Sequence, residues 1–199
     1  DVLLKEIHHR IKNNLQLISS IIYIRMCSMD RNDVFHFLEE TRQKIRSIAL
    51  MHERLLQTES IHEVDARDYI VKLIDDMKAT SFDRNSKIRI IEQIESHTLD
   101  LDTAINLGLI LNELVTNAMK YAFADKESGT IEISLHKKDQ VFEFRVADNG
   151  IGLPANILPG RSGTFGMQML EIFTKQIHAE IVIHRNHGTA FHITFPQHG

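Results

Sequence analysis

Glu113, Asn117 and Lys120 lie three and four residues apart in the run Leu101 to Phe123. In that run Ala104, Leu107, Leu111, Leu114, Ala118 and Ala122 recur at helical steps. On one helix the three polar residues stack over one another, roughly opposite the apolar face. The ordinary reading is a solvated face. Two features set this line apart. Asn is a poor residue for a helix interior, and a carboxylate beside a carboxamide can coordinate a hard cation through oxygen. A loop signal, Asp148-Asn149-Gly150-Ile151-Gly152, belongs with it. Near the start of the chain two histidines adjoin, His8 and His9. Leu4, Ile7, Ile11, Leu15, Ile18 and Ile22 form a helical apolar stripe; His8 lies on its margin, whereas His9 points away, with Lys5, Glu6, Lys12 and Asn13 one turn off. A neutral imidazole so exposed has a lone pair for nucleophilic attack.

The segment Asn112-Glu113-Leu114-Val115-Thr116-Asn117-Ala118-Met119-Lys120-Tyr121 resembles the N box of the gyrase/MutL/histidine-kinase ATPase superfamily. Asp148-Asn149-Gly150-Ile151-Gly152-Leu153-Pro154 resembles its G1 box, and Gly163-Thr164-Phe165-Gly166-Met167 a compact G2 box. Three motifs in the right order carry far more than any one. The resemblance implies ATP and Mg²⁺, with Asn117 the metal ligand, Glu113 holding a metal-bound water and Lys120 offsetting phosphate charge. It implies that Asp148 accepts from the adenine amino group, with Thr189 joining that network, and that Gly150 and Gly152 let the backbone approach the base. Gly163 and Gly166 would bring N–H groups to the phosphates, and Tyr121 and Phe165 fall within the same boxes. No Gly-Lys-Ser/Thr P-loop is present, and the Asp148 glycines lack the third Gly of a dinucleotide fingerprint.

Glu6-Ile7-His8-His9-Arg10-Ile11-Lys12-Asn13-Asn14-Leu15-Gln16 resembles the H box of the histidine kinases in which His-Arg marks the phosphoacceptor. It implies that His9 is phosphorylated and that Asn13 fills a position the family gives to Thr or Asn. Arg10 stands where the commoner H box has an acid, so the general base is open; Glu6, a turn earlier, is a candidate. His52-Glu53 and His62-Glu63 do carry His-Glu, but His52 lies on a buried stripe and His62 in a polar linker, and both read as structural.

The elements that would position these groups follow from patterning. A second helix runs from Asp33 through Val34, Phe37, Ile45, Ile48 and Leu55, making residues 1–62 a helical hairpin. Two helices cover each other poorly, so a second copy would complete a four-helix bundle and a homodimer is expected. In 63–199, Asp65 is placed to cap a helix through Ile70, Leu73, Ile74 and Met77, and Asp102 to cap the helix carrying Glu113. Ile88, Ile90 and Ile94 suit a strand; Thr130–His136 and Val141–Ala147 suit a hairpin about Lys-Lys-Asp-Gln. Phe165–Ile177 reads as a helix, and Ile181–His184 with Ala190–Phe195 as a closing hairpin. The fold class is α+β: the hairpin, then a two-layer α/β sandwich of one mixed sheet covered on one face. The resemblance names that sandwich the Bergerat ATP-binding fold.

Of 199 residues, 43% are hydrophobic and 25% charged, the make-up of an ordinary globular chain. A net charge of −4 gives no reason to expect nucleic acid, and no apolar run approaches the roughly 20 residues of a membrane span. Cys27 is alone, which suits a reducing cytoplasm. The chain opens without Met inside a helical pattern, so a fragment lacking an upstream sensory part is expected. Between Gly152 and Gly163, Pro154, Pro159, Gly160 and Ser162 make a short, turn-rich lid. His184 and His192 fall on neighbouring strands with no Cys or carboxylate pattern, so a metal is not expected there. The leading expectation is a sensor histidine kinase core that passes phosphate from His9 to an Asp of a response regulator. Two alternatives stay open: a nucleotide-regulated protein-binding module, and a serine kinase of the anti-sigma type, against which the histidine-bearing hairpin counts.

Overall fold

A computed structural model describes residues 63–81, 87–124, 128–157 and 165–197. The hairpin expected over 1–62, with His9, Asn13, Glu6, His52 and His62, lies outside the described residues, as does Gly163.

Strand β1 (Glu63–Asp65) leads directly into helix α1 (Ala66–Ser81). Asp65 caps it, its Oδ1 accepting from the Asp68 N–H at 2.9 Å. Burial pushes the Asp65 carboxyl up, but the Ser96 hydroxyl and the amides of Asp68 and Arg67 outweigh it and hold the group below its ordinary range. Ala66, Tyr69, Ile70, Ile74 and Met77 are buried along one helical stripe.

Strand β2 (Lys87–Ile94) is followed by the short β3 (Thr98–Asp100), which pairs with β1 in a separate two-stranded ladder. Helix α2 (Leu101–Asn117) begins at once. Its cap is Asp100, not Asp102: Asp100 Oδ1 accepts from Thr103 N–H at 2.9 Å, and Oδ2 from the Thr103 hydroxyl at 2.5 Å. Pairing with Glu63 holds Asp100 extended, so the chain turns into the helix two residues early and Asp102 falls in the first turn. The expectation of one α-helix through Phe123 also needs correcting, because Ala118–Ala122 forms a π-helical turn.

The main sheet has the order β2-β4-β5-β7-β6, with β4 Ser128–Lys138, β5 Val141–Asp148, β6 Glu180–His184 and β7 Thr189–Pro196. β2 runs parallel to β4 and every other pair is antiparallel, so the sheet is mixed. β4 and β5 extend further toward each other than the sequence suggests. Lys137 pairs with Phe142 and Lys138 with Val141, leaving a two-residue turn in which Asp139 takes φ 57°.

Alternation sets the core face. Ile131, Ile133 and Leu135 of β4, Phe142, Phe144 and Val146 of β5, and Phe191, Ile193 and Phe195 of β7 are buried. The helical layer supplies Leu107, Ile110, Leu111 and Leu114 from α2, and Met169, Leu170 and Phe173 from α3 (Phe165–Gln176). The opposite sheet face is polar: Arg145 Nη1 meets Glu132 Oε2 at 2.8 Å, and the His184 and His192 rings stand edge-on at 4.8 Å. Burial lowers the His192 pKa, and His184 and Arg145 lower it further. Among the described residues no cluster of three or more His, Cys, Asp or Glu could hold a metal ion, and no helix is long and apolar enough to cross a membrane.

Candidate nucleotide site

The site forms at the end of the sheet where β5 finishes and β7 begins. Asp148, the last residue of β5, pairs with Thr189, the first of β7. One carboxylate oxygen of Asp148 accepts from the Gly150 N–H at 2.9 Å and faces the Thr189 N–H at 3.4 Å. Two main-chain amides on different segments thus fix its direction, and Thr189 beside it is buried.

The glycines around Asp148 are each required for a separate reason. Gly188 has φ 118°, and a Cβ there would lie 1.9 Å from the Asp148 carbonyl oxygen. Gly152 has φ 86°, left-handed backbone that L residues rarely adopt, yet its Cβ would meet nothing nearer than the Gly188 carbonyl oxygen at 3.4 Å. Gly150 was expected to clear space for the base. Its missing Cβ makes room for the π turn, since it would fall 2.3 Å from the Ala122 carbonyl oxygen. That carbonyl accepts from the Ile151 N–H at 2.9 Å, tying the end of the Glu113 helix to the Asp148 loop. π turns of this kind concentrate at functional sites. Asn149 is structural: its side chain accepts from Thr130 N–H at 2.8 Å while its own N–H reaches the Thr130 carbonyl at 3.2 Å.

The second half of the site lies where α2 meets α3. Glu113 is buried, 8% exposed, on a helix flanked by α1 and α3, so its line is solvated only toward the Lys120 end. Asn117 is half-buried and Lys120 exposed. Gly166, in the first turn of α3, sits against both acid and amide: a Cβ there would lie 3.1 Å from Glu113 Oε2 and from Asn117 Nδ2, and 3.7 Å from Asn117 Oδ1. Two residues far apart in sequence from Gly166 thus converge on it. A carboxylate and a carboxamide offer oxygens suited to a hard divalent cation, and the N–H groups at the start of the helix beside them suit phosphate oxygens. Tyr121 on the π turn is 65% exposed. Phe165 is the first residue of α3.

Sequence reasoning missed Gly188, Asn149 and Arg185. Asn149 lies inside the quoted Asp148–Pro154 motif without a role of its own, and Gly188 directly precedes Thr189, where a Gly before a strand is a legible signal for a positive φ. Arg185 carries no motif and emerges only from the fold.

A mixed sheet with helices on one face, an acid at the end of a central strand and an Asn–Glu helix across from it define an ATPase domain of the GHKL class. Residues 102–199 match the family model described as histidine kinase-, DNA gyrase B- and HSP90-like ATPase, and residues 6–81 match one described as histidine kinase. The two matches together cover most of the chain, which belongs to the histidine kinases. It is similar to the sensor histidine kinase PdtaS of Mycolicibacterium smegmatis, 28% identical over 188 residues, which cover 92% of this chain and 37% of that protein. The PdtaS of Mycobacterium tuberculosis is 30% identical over 173 residues, 85% of this chain and 34% of that one. The chain therefore spans about a third of the length of these curated relatives. Among solved structures, the Erythrobacter litoralis EL346 blue-light activated histidine kinase superposes with a TM-score of 0.74 at 23% identity, covering 99% of this chain and 59% of that one. That likeness is one of fold.

Proposed function

We propose that this chain binds Mg²⁺-ATP between Asp148 and Glu113–Asn117, phosphorylates its own His9, and passes the phosphoryl group to an Asp of a response regulator. The observation that carries the reading is convergence: a Cβ on Gly166 would lie 3.1 Å from both Glu113 Oε2 and Asn117 Nδ2, while Asp148 is held by the N–H of Gly150 and faces that of Thr189 on the neighbouring strand. Asp148 identifies adenine by accepting from its amino group. Asn117 and, through a water, Glu113 would hold Mg²⁺, which when bound screens the phosphate oxygens. Lys120 adds a positive charge from the π turn, and the amides at the start of α3, with Gly163 and Gly166, cradle the phosphates.

A neutral ring nitrogen of His9 attacks the γ-phosphorus. The N–P bond forms as the bond to the β,γ-bridging oxygen breaks, ADP leaves, and the ring proton passes to a base for which Glu6 is the candidate. Asn13, one turn on, lies on the same polar side of the helix in the sequence pattern. A second copy of the hairpin completes a four-helix bundle, so the working unit is a homodimer. Arg10, in place of an acid after His9, supports a second reading, a module that binds nucleotide and regulates a partner without transferring phosphate.

The test is label incorporation from γ-labelled ATP, alongside ATP binding, for the parent, Asp148→Ala and Asn117→Ala. The kinase reading expects Asp148→Ala to lose both and Asn117→Ala to lose label and Mg²⁺-dependent affinity. Binding without label in the parent would favour the regulatory module. Label unaffected by either substitution would sink the assigned site.

A further inference from the structure

The turn joining β6 to β7, residues 185–188, is docked on the segment that follows β5 at several points. Gly188 sits on the Asp148 carbonyl so closely that no Cβ fits, and Gly152 packs against the Gly188 carbonyl. The remaining point is Arg185. Its Nη2 donates to the Ile157 carbonyl oxygen at 2.9 Å. The Ile157 N–H in turn donates to the Pro154 carbonyl at 3.0 Å, closing a tight turn over 154–157. The guanidinium therefore fixes the far end of this turn to the same hairpin that carries Gly188 and Thr189.

The bond is an unusual use of arginine. A guanidinium ordinarily seeks a carboxylate or phosphate with its planar fork. Among the described residues Arg185 forms no ion pair, and its Nε–H is buried with no hydrogen-bond partner. What the arrangement accomplishes is geometric: the chain from Gly150 to Ile157 is held at one end by Asp148 and Ala122, and at the other by Arg185.

We propose that Arg185 is a positioning residue for nucleotide binding, holding the 154–157 turn so that the Gly150–Gly152 backbone keeps one geometry beside the adenine. The inference rests on the reading that adenine binds at Asp148. It predicts a defect in affinity, not in chemistry, because Arg185 is bonded to the loop and not to Glu113, Asn117 or Lys120.

The experiment uses the whole chain and ADP as the probe, with affinity measured calorimetrically for the parent, Arg185→Ala and Arg185→Lys. Amide exchange is followed without nucleotide. Arg185→Ala should weaken ADP roughly tenfold, the scale of one charge-assisted bond. Exchange should quicken over 152–157 and stay unchanged in α1 and β4, and Arg185→Lys should recover part of the affinity. At saturating ATP the labelling rate should stay within about twofold of the parent, a KM effect without a kcat effect. Parental ADP affinity in Arg185→Ala, or faster exchange spread across the whole sheet, would overturn the assignment. If Arg185→Ala does not fold, Arg185→Gln keeps a shorter uncharged donor; intermediate affinity supports the inference and parental affinity overturns it. ADP binding needs no phosphoryl transfer, so a chain that binds ADP with this Arg185 dependence yet leaves His9 unlabelled fails the kinase reading alone.

Discussion

Gly188 and Gly152 lie side by side next to Asp148, yet different things exclude a side chain at each. At Gly188 both the positive φ and the Asp148 carbonyl forbid a Cβ; at Gly152 only the backbone conformation does. Gly188→Ala should therefore cost at least about 2 kcal/mol and displace Asp148, whereas Gly152→Ala should cost about 1 kcal/mol. Urea melts of the two variants check the ordering. Gly166 offers a third case, because the atoms its Cβ would crowd are the ends of the Glu113 and Asn117 side chains, which can give way. Gly166→Ala should leave stability within about 1 kcal/mol of the parent. Its effect should appear instead in Mg²⁺-dependent ATP affinity, measured by titration with and without the metal.

Helix α2 owes its start to a strand. Asp100→Ala removes the capping oxygen and should cost about 1 kcal/mol, whereas Asp102→Ala, in the first turn, should cost less. Equal losses would mean the cap is misassigned. The loop joining β2 to β3 is fastened at the sheet end opposite the nucleotide site. Glu95 lies 2.9 Å from His97 Nε2 and 3.1 Å from His136 Nδ1, and accepts from the Lys137 N–H at 3.2 Å. The His97 bond first, then those of His136 and Lys137, lower its pKa from 4.5 to about 2. A carboxyl whose pKa falls on folding contributes stability that is fully present above pH 4.5 and lost as pH drops through about 2. Glu95→Gln should accordingly flatten the acid side of the stability profile between those values. Urea melts at pH 5 and at pH 3 would read the difference, and an unchanged slope would contradict it.

At the scale of the whole molecule, the sequence disclosed what chemistry fixes and hid what tertiary contact decides. That Asp148 lies beside Thr189, and Glu113 and Asn117 beside Gly166, was legible in the motifs, whose residue types and order are those a nucleotide site would call for. The central strands were legible because Ile131–Leu135 and Phe191–Phe195 alternate cleanly. The π turn was not, because it is coupled to a hydrogen bond between Ala122 and Ile151, distant in sequence. Nor was the Asp100 cap, since three-residue strands such as β1 and β3 leave no periodic trace. The contact that leaves Gly150 no room for a side chain was hidden for the same reason: the atom that excludes it belongs to another element. Burial of Glu113 depends on flanking helices that no local pattern announces. The most direct measurement of the central claim maps label from γ-labelled ATP in the parent, His9→Ala and His8→Ala. The account predicts acid-labile, base-stable label in the parent and in His8→Ala, and none in His9→Ala. Label that survives His9→Ala, or is lost with His8→Ala alone, would contradict it.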